Sequence, residues 1–366
     1  MSEIVRPFRV YNAEHSNLPT KIFGGKASGI RDWDNIKYPA FLEYHKQLFA
    51  EYWVEDEIKL GKDVEDYKNK LSDAERQVFN YATGTLNWLD SIASDIVSKL
   101  ALIVTDPSIR SVLELIAAFE GLHNRSYQYL TATMLTKQQK EQAFDEIRKM
   151  PLLVKRNDLI ITKLQDMIDV IAEYVLNKKE IDEKFLNTIY KGIIAYQVLE
   201  GLYFSAGFVY FHSLARDNKM LESNSLINMI RTDENQHSEI FGLIIQVIMA
   251  EFPQLNTTEN MDYTINFFKE CVEAEKEWSK WLFEDIDTLS IKEYHDYVEY
   301  LTNLICRNAG MKEPFENNTE LKSRWIATYG SKKRDSKDSS QIVSRTDFLQ
   351  ANATNYTHEG GEDFDL

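Results

Sequence analysis

Two short stretches of this chain carry side chains spaced for metal chemistry. Residues 119–129 read FEGLHNRSYQY, and residues 229–240 read MIRTDENQHSEI. Glu120 and His123 are three apart, as are Glu234 and His237. On a helix that spacing puts both side chains on one face, one turn apart. Tyr127 falls on the same stripe, four residues past His123. Two such helices facing each other offer four donors to a pair of metal ions. The remaining donors in such a bundle are single carboxylates from two other helices. A lone acid in an apolar stretch stands upstream of each motif: Asp90 in WLDSIASDI and Glu200 in YQVLEGLYFSAGFVYF. Glu200 is the only acid in residues 192–215. A carboxylate that its neighbours cannot solvate needs a cation, a metal or a proton.

Position carries this argument more than counting does. Two of the seven histidines have Glu three residues before them, and ordinary Glu usage gives about one such match by chance. Asp90, however, precedes Glu120 by 30 residues, and Glu200 precedes Glu234 by 34. Each half then reads as a long helical hairpin. An arm of about 15 residues rises about 22 Å, so both offsets return the chain to the same height. All six groups can meet in one layer of a four-helix bundle. Four ionised carboxylates would repel one another there, and two divalent ions would neutralise them. Oxygen-rich ligation with one imidazole per ion suits iron or manganese better than zinc or copper. The competing reading is a set of surface ion pairs and unrelated core acids; Asp90 alone fits the solvated side of an amphipathic helix equally well.

A phenol beside such a centre is oxidisable, and its radical persists only where water is excluded. Tyr127 is placed for that role, although an isolated tyrosine is more often a hydrogen-bonded core residue. Phe204 and Phe208, at i+4 and i+8 of Glu200, and Ile230, at i−4 of Glu234, fall on the same sides as an apolar shell.

The elements that must position these groups read as helices throughout. Residues 34–60 are aromatic-rich and helical, with the amphipathic pattern failing over EYWVEDEI. Ser72, with Glu75 at the position of its capping partner, opens a helix that Pro107 stops near Val104. Further helices are predicted over 107–135, 154–177, 184–216, 221–252, 258–283 and 292–309. Residues 137–149 are polar and are read as an interruption. No strand-like alternation persists. The expectation is an all-α, helical-bundle domain over residues 31–310, an N-terminal arm over 1–30, and a flexible tail over 311–366. The tail includes the charged run GSKKRDSKDSSQ and ends in EGGEDFDL.

Composition narrows the function. The 366 residues carry a net charge of −16, which argues against nucleic acid as a partner. Two cysteines, Cys271 and Cys306, match neither a disulfide framework nor a zinc pattern, and suit a reducing, cytoplasmic setting. MSEIVRPFRVYN lacks the apolar core of a secretory signal. Residues 192–215 are apolar enough to span a membrane but lack flanking basic bias, so a central bundle helix is expected.

LDS with Asp90, EGLHNRSY, VLEGLYF and DENQH closely resemble motifs of the small, radical-generating subunit of class I ribonucleotide reductase. The resemblance runs from about Trp53 to Gly310. It implies a ferritin-like fold and a dinuclear metal site held by Asp90, Glu120, His123, Glu200, Glu234 and His237. Di-iron is expected first, with di-manganese or a mixed pair as alternatives. Tyr127 becomes the stable-radical residue. Trp53 matches the family's radical-relay tryptophan, and Asp233 the acid that hydrogen-bonds a ligand histidine. The relay would run through Tyr127, His123, Asp233 and Trp53. The resemblance also implies a homodimer whose tail docks a separate large subunit, the one that converts ribonucleotides to deoxyribonucleotides. Tyr356 is the tail tyrosine best placed to pass the radical, with Tyr329 a second candidate. Related ferritin-like proteins, a ferroxidase or iron-storage shell and a lipid oxidase or desaturase, are the alternatives.

Overall fold

In a computed structural model the chain is described over residues 10–18, 21–176 and 178–330. Tyr356 and the rest of the segment after Gly330 lie outside the described residues. Twelve α-helices account for most of the described chain. They are α1 (Pro39–Ala50), α2 (Gly61–Asn69), α3 (Asp73–Ile103), α4 (Pro107–Met134), α5 (Lys137–Lys149) and α6 (Pro151–Val175). They continue with α7 (Glu183–Val198), α8 (Ser205–Arg216), α9 (Leu221–Glu251), α10 (Thr258–Leu282), α11 (Ile291–Asn308) and α12 (Arg324–Tyr329). No strand forms among the described residues; one isolated antiparallel bridge joins Phe23 to Val104.

The sequence sets the helix ends locally. The Ser72 hydroxyl accepts from Glu75 N at 3.1 Å while the Glu75 carboxylate accepts from Ser72 N at 2.7 Å. Losing such a cap costs about 1 kcal/mol. Asp106 caps α4 by accepting from the backbone of Ser108 and Ile109, and Pro107 occupies the first turn, where its missing N–H is harmless.

Two hairpins form the centre of the bundle. One is α3 and α4. The other is the run from α7 through α8, turned back into α9 at Asn218 and Met220, both with positive φ. Between α7 and α8 the helix widens into one π turn at Leu199–Tyr203. Such a turn inserts a residue into the helical register and re-aims the side chains around it, here including Glu200. The apolar stretch 192–215 that resembled a membrane span lies within Glu183–Arg216, whose most apolar window is 94% buried inside the bundle.

Arg156 on α6 is buried against the end of the π turn. Its guanidinium donates to Glu275 Oε2 at 2.5 Å and to the Tyr203 carbonyl at 2.6 Å. Tyr294 closes the far side, donating to Glu275 Oε1 at 2.6 Å.

Three segments differ from the sequence expectation. The expected helix over 34–60 stops at Ala50, and the chain runs extended through Val54 to a short 3-10 turn at Glu55–Glu57. This departure buries the Trp53 indole, while Arg125 pairs with Glu55 at 3.1 Å to hold the segment on α4. The polar stretch Lys137–Lys149 is a helix, opened by Thr136 with Gln139 as its capping partner. Residues 311–330, grouped with the tail by composition, pack on the bundle. Ile326 is buried there, and Asn303 holds the carbonyls of Phe315 and Asn318.

Candidate metal centre

Four helical segments converge on one buried point. α3 brings Asp90; α4 brings Glu120 and His123; the π turn brings Glu200; α9 brings Glu234 and His237. All six are buried. They form two overlapping groups of four, Asp90–Glu120–His123–Glu234 and Glu120–Glu200–Glu234–His237, with donor atoms within 4.8 Å of one another in each. Glu120 and Glu234 belong to both groups, the position expected of carboxylates that bridge two ions. The motifs also cross over. His123 Nδ1 lies 2.8 Å from Glu234 Oε1 and 3.6 Å from Glu120 Oε2. His237 Nδ1 lies 3.0 Å from Glu120 Oε1, 3.1 Å from Glu234 Oε2 and 3.7 Å from Glu200 Oε2.

The donor set fits cations. Both oxygens of Asp90 have no hydrogen-bond partner. Among the described residues those of Glu120, Glu200 and Glu234 have no cationic neighbour but the two imidazoles. Lone pairs converging without donors are costly when buried, and a divalent ion in each group satisfies them.

The electrostatics of the cluster point the same way. Burial, then the facing carboxylates Glu234 and Glu120, push Asp90 well above the usual carboxyl range. Burial, then Glu120 and Glu234, do likewise for Glu200. For Glu234 burial pulls upward, but the His123 imidazole overrides it and holds the group low. Burial disfavours charge on both histidines, yet Glu234 raises His123 and Glu120 raises His237 well above the usual imidazole range. The same crowding of buried carboxylates that raises these proton affinities favours a divalent cation.

Tyr127 is fully buried on α4, and its hydroxyl has no hydrogen-bond partner. Burial, then Asp90, raise its pKa well above that of free tyrosine, so the phenol is neutral. Phe204 and Phe208 are buried and stacked with ring centroids 5.7 Å apart; Ile230 is buried too. Asp233 Oδ2 lies 3.2 Å from His123 Nε2 and accepts from Trp53 Nε1 at 2.7 Å. The Trp53 ring stacks on His123 at 6.0 Å. Sequence reasoning did not single out Tyr196, which is buried one turn before Glu200; its i−4 spacing was the signal available.

A four-helix core that presents two carboxylate-rich, imidazole-capped donor groups in one layer defines a ferritin-like dinuclear metal protein. A family model described as "Ribonucleotide reductase, small chain" matches residues 30–322. The chain belongs to that family. It is 30% identical to the ribonucleoside-diphosphate reductase subunit beta of Treponema pallidum, over 92% of this chain and 90% of that protein. It is 27% identical to the subunit of the same name from Halalkalibacterium halodurans, over 88% and 89% respectively. The solved ribonucleotide reductase R2 subunit from Clostridium botulinum superposes with a TM-score of 0.80 at 25% identity, covering 88% of this chain and 98% of that one.

Proposed function

We propose that this chain is the radical-generating subunit of a ribonucleoside-diphosphate reductase. It holds a tyrosyl radical on Tyr127 and passes the oxidising equivalent to a separate large subunit, which reduces ribonucleotides to deoxyribonucleotides. The observation that carries this is a fully buried, unpartnered Tyr127 phenol beside the Asp90 group of a two-ion donor cluster.

Asp90, Glu120, His123, Glu200, Glu234 and His237 are the ligands in this reading, with Glu120 and Glu234 shared. Bound there, the metals supply one-electron oxidation after reacting with dioxygen or a flavoprotein-delivered oxidant. Iron is the first expectation, and manganese or a mixed pair has the same donor preference. Tyr127 would be the phenol oxidised there; burial and Asp90 raise its pKa well above that of free tyrosine and keep it neutral. Phe204, Phe208 and Ile230 keep water from the product radical. Asp233 fixes the His123 ring and accepts from Trp53, so one carboxylate oxygen links the centre to the indole. Trp53 is then the exit toward the partner. Tyr356 in the tail is the next carrier, and the tail docks the large subunit. The working unit is a cytoplasmic homodimer. Phe204 and Phe208 are buried and packed on each other, which favours this reading over a desaturase that admits a lipid chain.

Tyr127→Phe tests the reading. The variant should keep its metal content, lose the wild-type radical spectrum in electron paramagnetic resonance, and lose ribonucleotide reduction with the large subunit. Full reduction in that variant removes Tyr127 from the mechanism.

A further inference from the structure

The centre has a phenol on each side. Tyr127 is acted on by Asp90 before any other carboxylate. Tyr196 on α7 stands one turn before Glu200 and packs on Phe241, one turn past His237 on α9, so it lies on the side of the other donor group. Tyr196 is fully buried, and the group its hydroxyl faces is the Glu200 carboxylate; burial, then Glu200, raise its pKa well above that of free tyrosine. Its ring packs on Phe241 with centroids 4.3 Å apart. The neighbouring amide of Gln197 is turned away, donating to the Ser238 carbonyl at 2.9 Å. A buried hydroxyl needs a partner or costs about 1–3 kcal/mol, and phenylalanine would fill the same slot without that demand. The hydroxyl therefore answers to something other than packing.

We propose that Tyr196 is a second redox-active phenol of this centre, oxidised on the Glu200 side. The proposal rests on the radical-generating reading above. In the step, one electron leaves the Tyr196 ring for a metal pair already oxidised by dioxygen, lowering that pair's oxidation state by one. The Tyr196 O–H bond breaks, the proton goes to a Glu200 carboxylate oxygen, and a neutral phenoxyl radical remains. Tyr196 lacks the carboxylate link that joins His123 to Trp53. A radical there is a side branch: it stores the oxidising equivalent but does not deliver it to the large subunit.

The test is electron paramagnetic resonance on the full chain, loaded with Fe(II) and exposed to dioxygen. It compares the wild type, Tyr127→Phe and the Tyr127→Phe/Tyr196→Phe double variant at matched iron content. The expected result is an organic radical in Tyr127→Phe with a line shape unlike the wild type, no ribonucleotide reduction, and loss of that radical in the double variant. No organic radical in Tyr127→Phe, or one that survives in the double variant, overturns the proposal. Should the double variant fail to take up iron, ring-deuterated tyrosine placed at position 196 alone in Tyr127→Phe decides: the signal must narrow, and an unchanged signal overturns the proposal. A wild type without any radical would instead count against the role of Tyr127.

Discussion

Trp53 Nε1 and Asp233 Oδ2 are 2.7 Å apart although the residues are separated by 180 positions in the chain. The same oxygen lies 3.2 Å from His123 Nε2. One carboxylate thus joins an indole to an imidazole that faces the donor cluster. Asp233→Ala should lower ribonucleotide reduction by about 10–100-fold, the usual effect of removing the group that orients a ligand histidine. Trp53→Phe should leave the Tyr127 radical in place and lose reduction. Radical content by spin counting and turnover with the large subunit, measured on the same samples, separate the two effects. Normal turnover in Trp53→Phe would remove the indole from the route.

Metal removal should destabilise the fold. Several buried oxygens of the cluster, both of Asp90 among them, have no hydrogen-bond donor, and metal binding to the folded state alone adds stability by mass action. At a free metal concentration 100 times the dissociation constant the gain is about 2.7 kcal/mol. Thermal unfolding should therefore shift upward when Fe(II) or Mn(II) is added anaerobically to chelator-treated protein. The shift should largely vanish in Glu120→Ala, which removes a carboxylate common to both groups.

The Arg156–Glu275 pair should be strongly structural. Both side chains are fully buried at 2.5 Å, and Arg156 also holds the Tyr203 carbonyl at the end of the π turn. Arg156→Met leaves a buried carboxylate without its cation, a change that costs about 3–5 kcal/mol. Denaturant unfolding of the metal-free protein measures it. A loss under about 1 kcal/mol would mean that water or a proton compensates Glu275, whose pKa burial already raises.

Acid should weaken the fold through His212. Its Nδ1 lies 2.7 Å from Asn224 Oδ1, and its Nε2 lies 3.1 Å from Arg231. Burial, then Arg231, hold its pKa well below 6.5, so the folded state keeps it neutral. The unfolded chain takes up that proton below about pH 6.5. The unfolded state then binds more protons, and stability falls as the pH drops, by at most about 1.4 kcal/mol per pH unit from this group. Thermal unfolding at pH 7 and pH 5 should show a smaller difference in His212→Gln than in the wild type.

Local chemistry makes much of this protein legible in its residue order. Glu120 with His123, and Glu234 with His237, share a helix face by spacing alone. Ser72 and Glu75 cap α3, and Pro107 and Asp106 set the turn into α4, because those bonds span only a few residues. The Thr136–Gln139 box is equally local, but α5 buries little more than Ala143 and Ile147, so its apolar stripe is faint and the segment reads as polar. Tertiary packing decided what no local pattern carries. It closed the cross-pairing of His123 with Glu234 and of His237 with Glu120. It opened a π turn that helical periodicity does not anticipate, and it drew residues 51–58 out of a helix to seat Trp53 beside Asp233. Those outcomes depend on which helices meet and at what height. That is fixed by side chains far apart in the chain filling one core, and not by the preferences of any one segment.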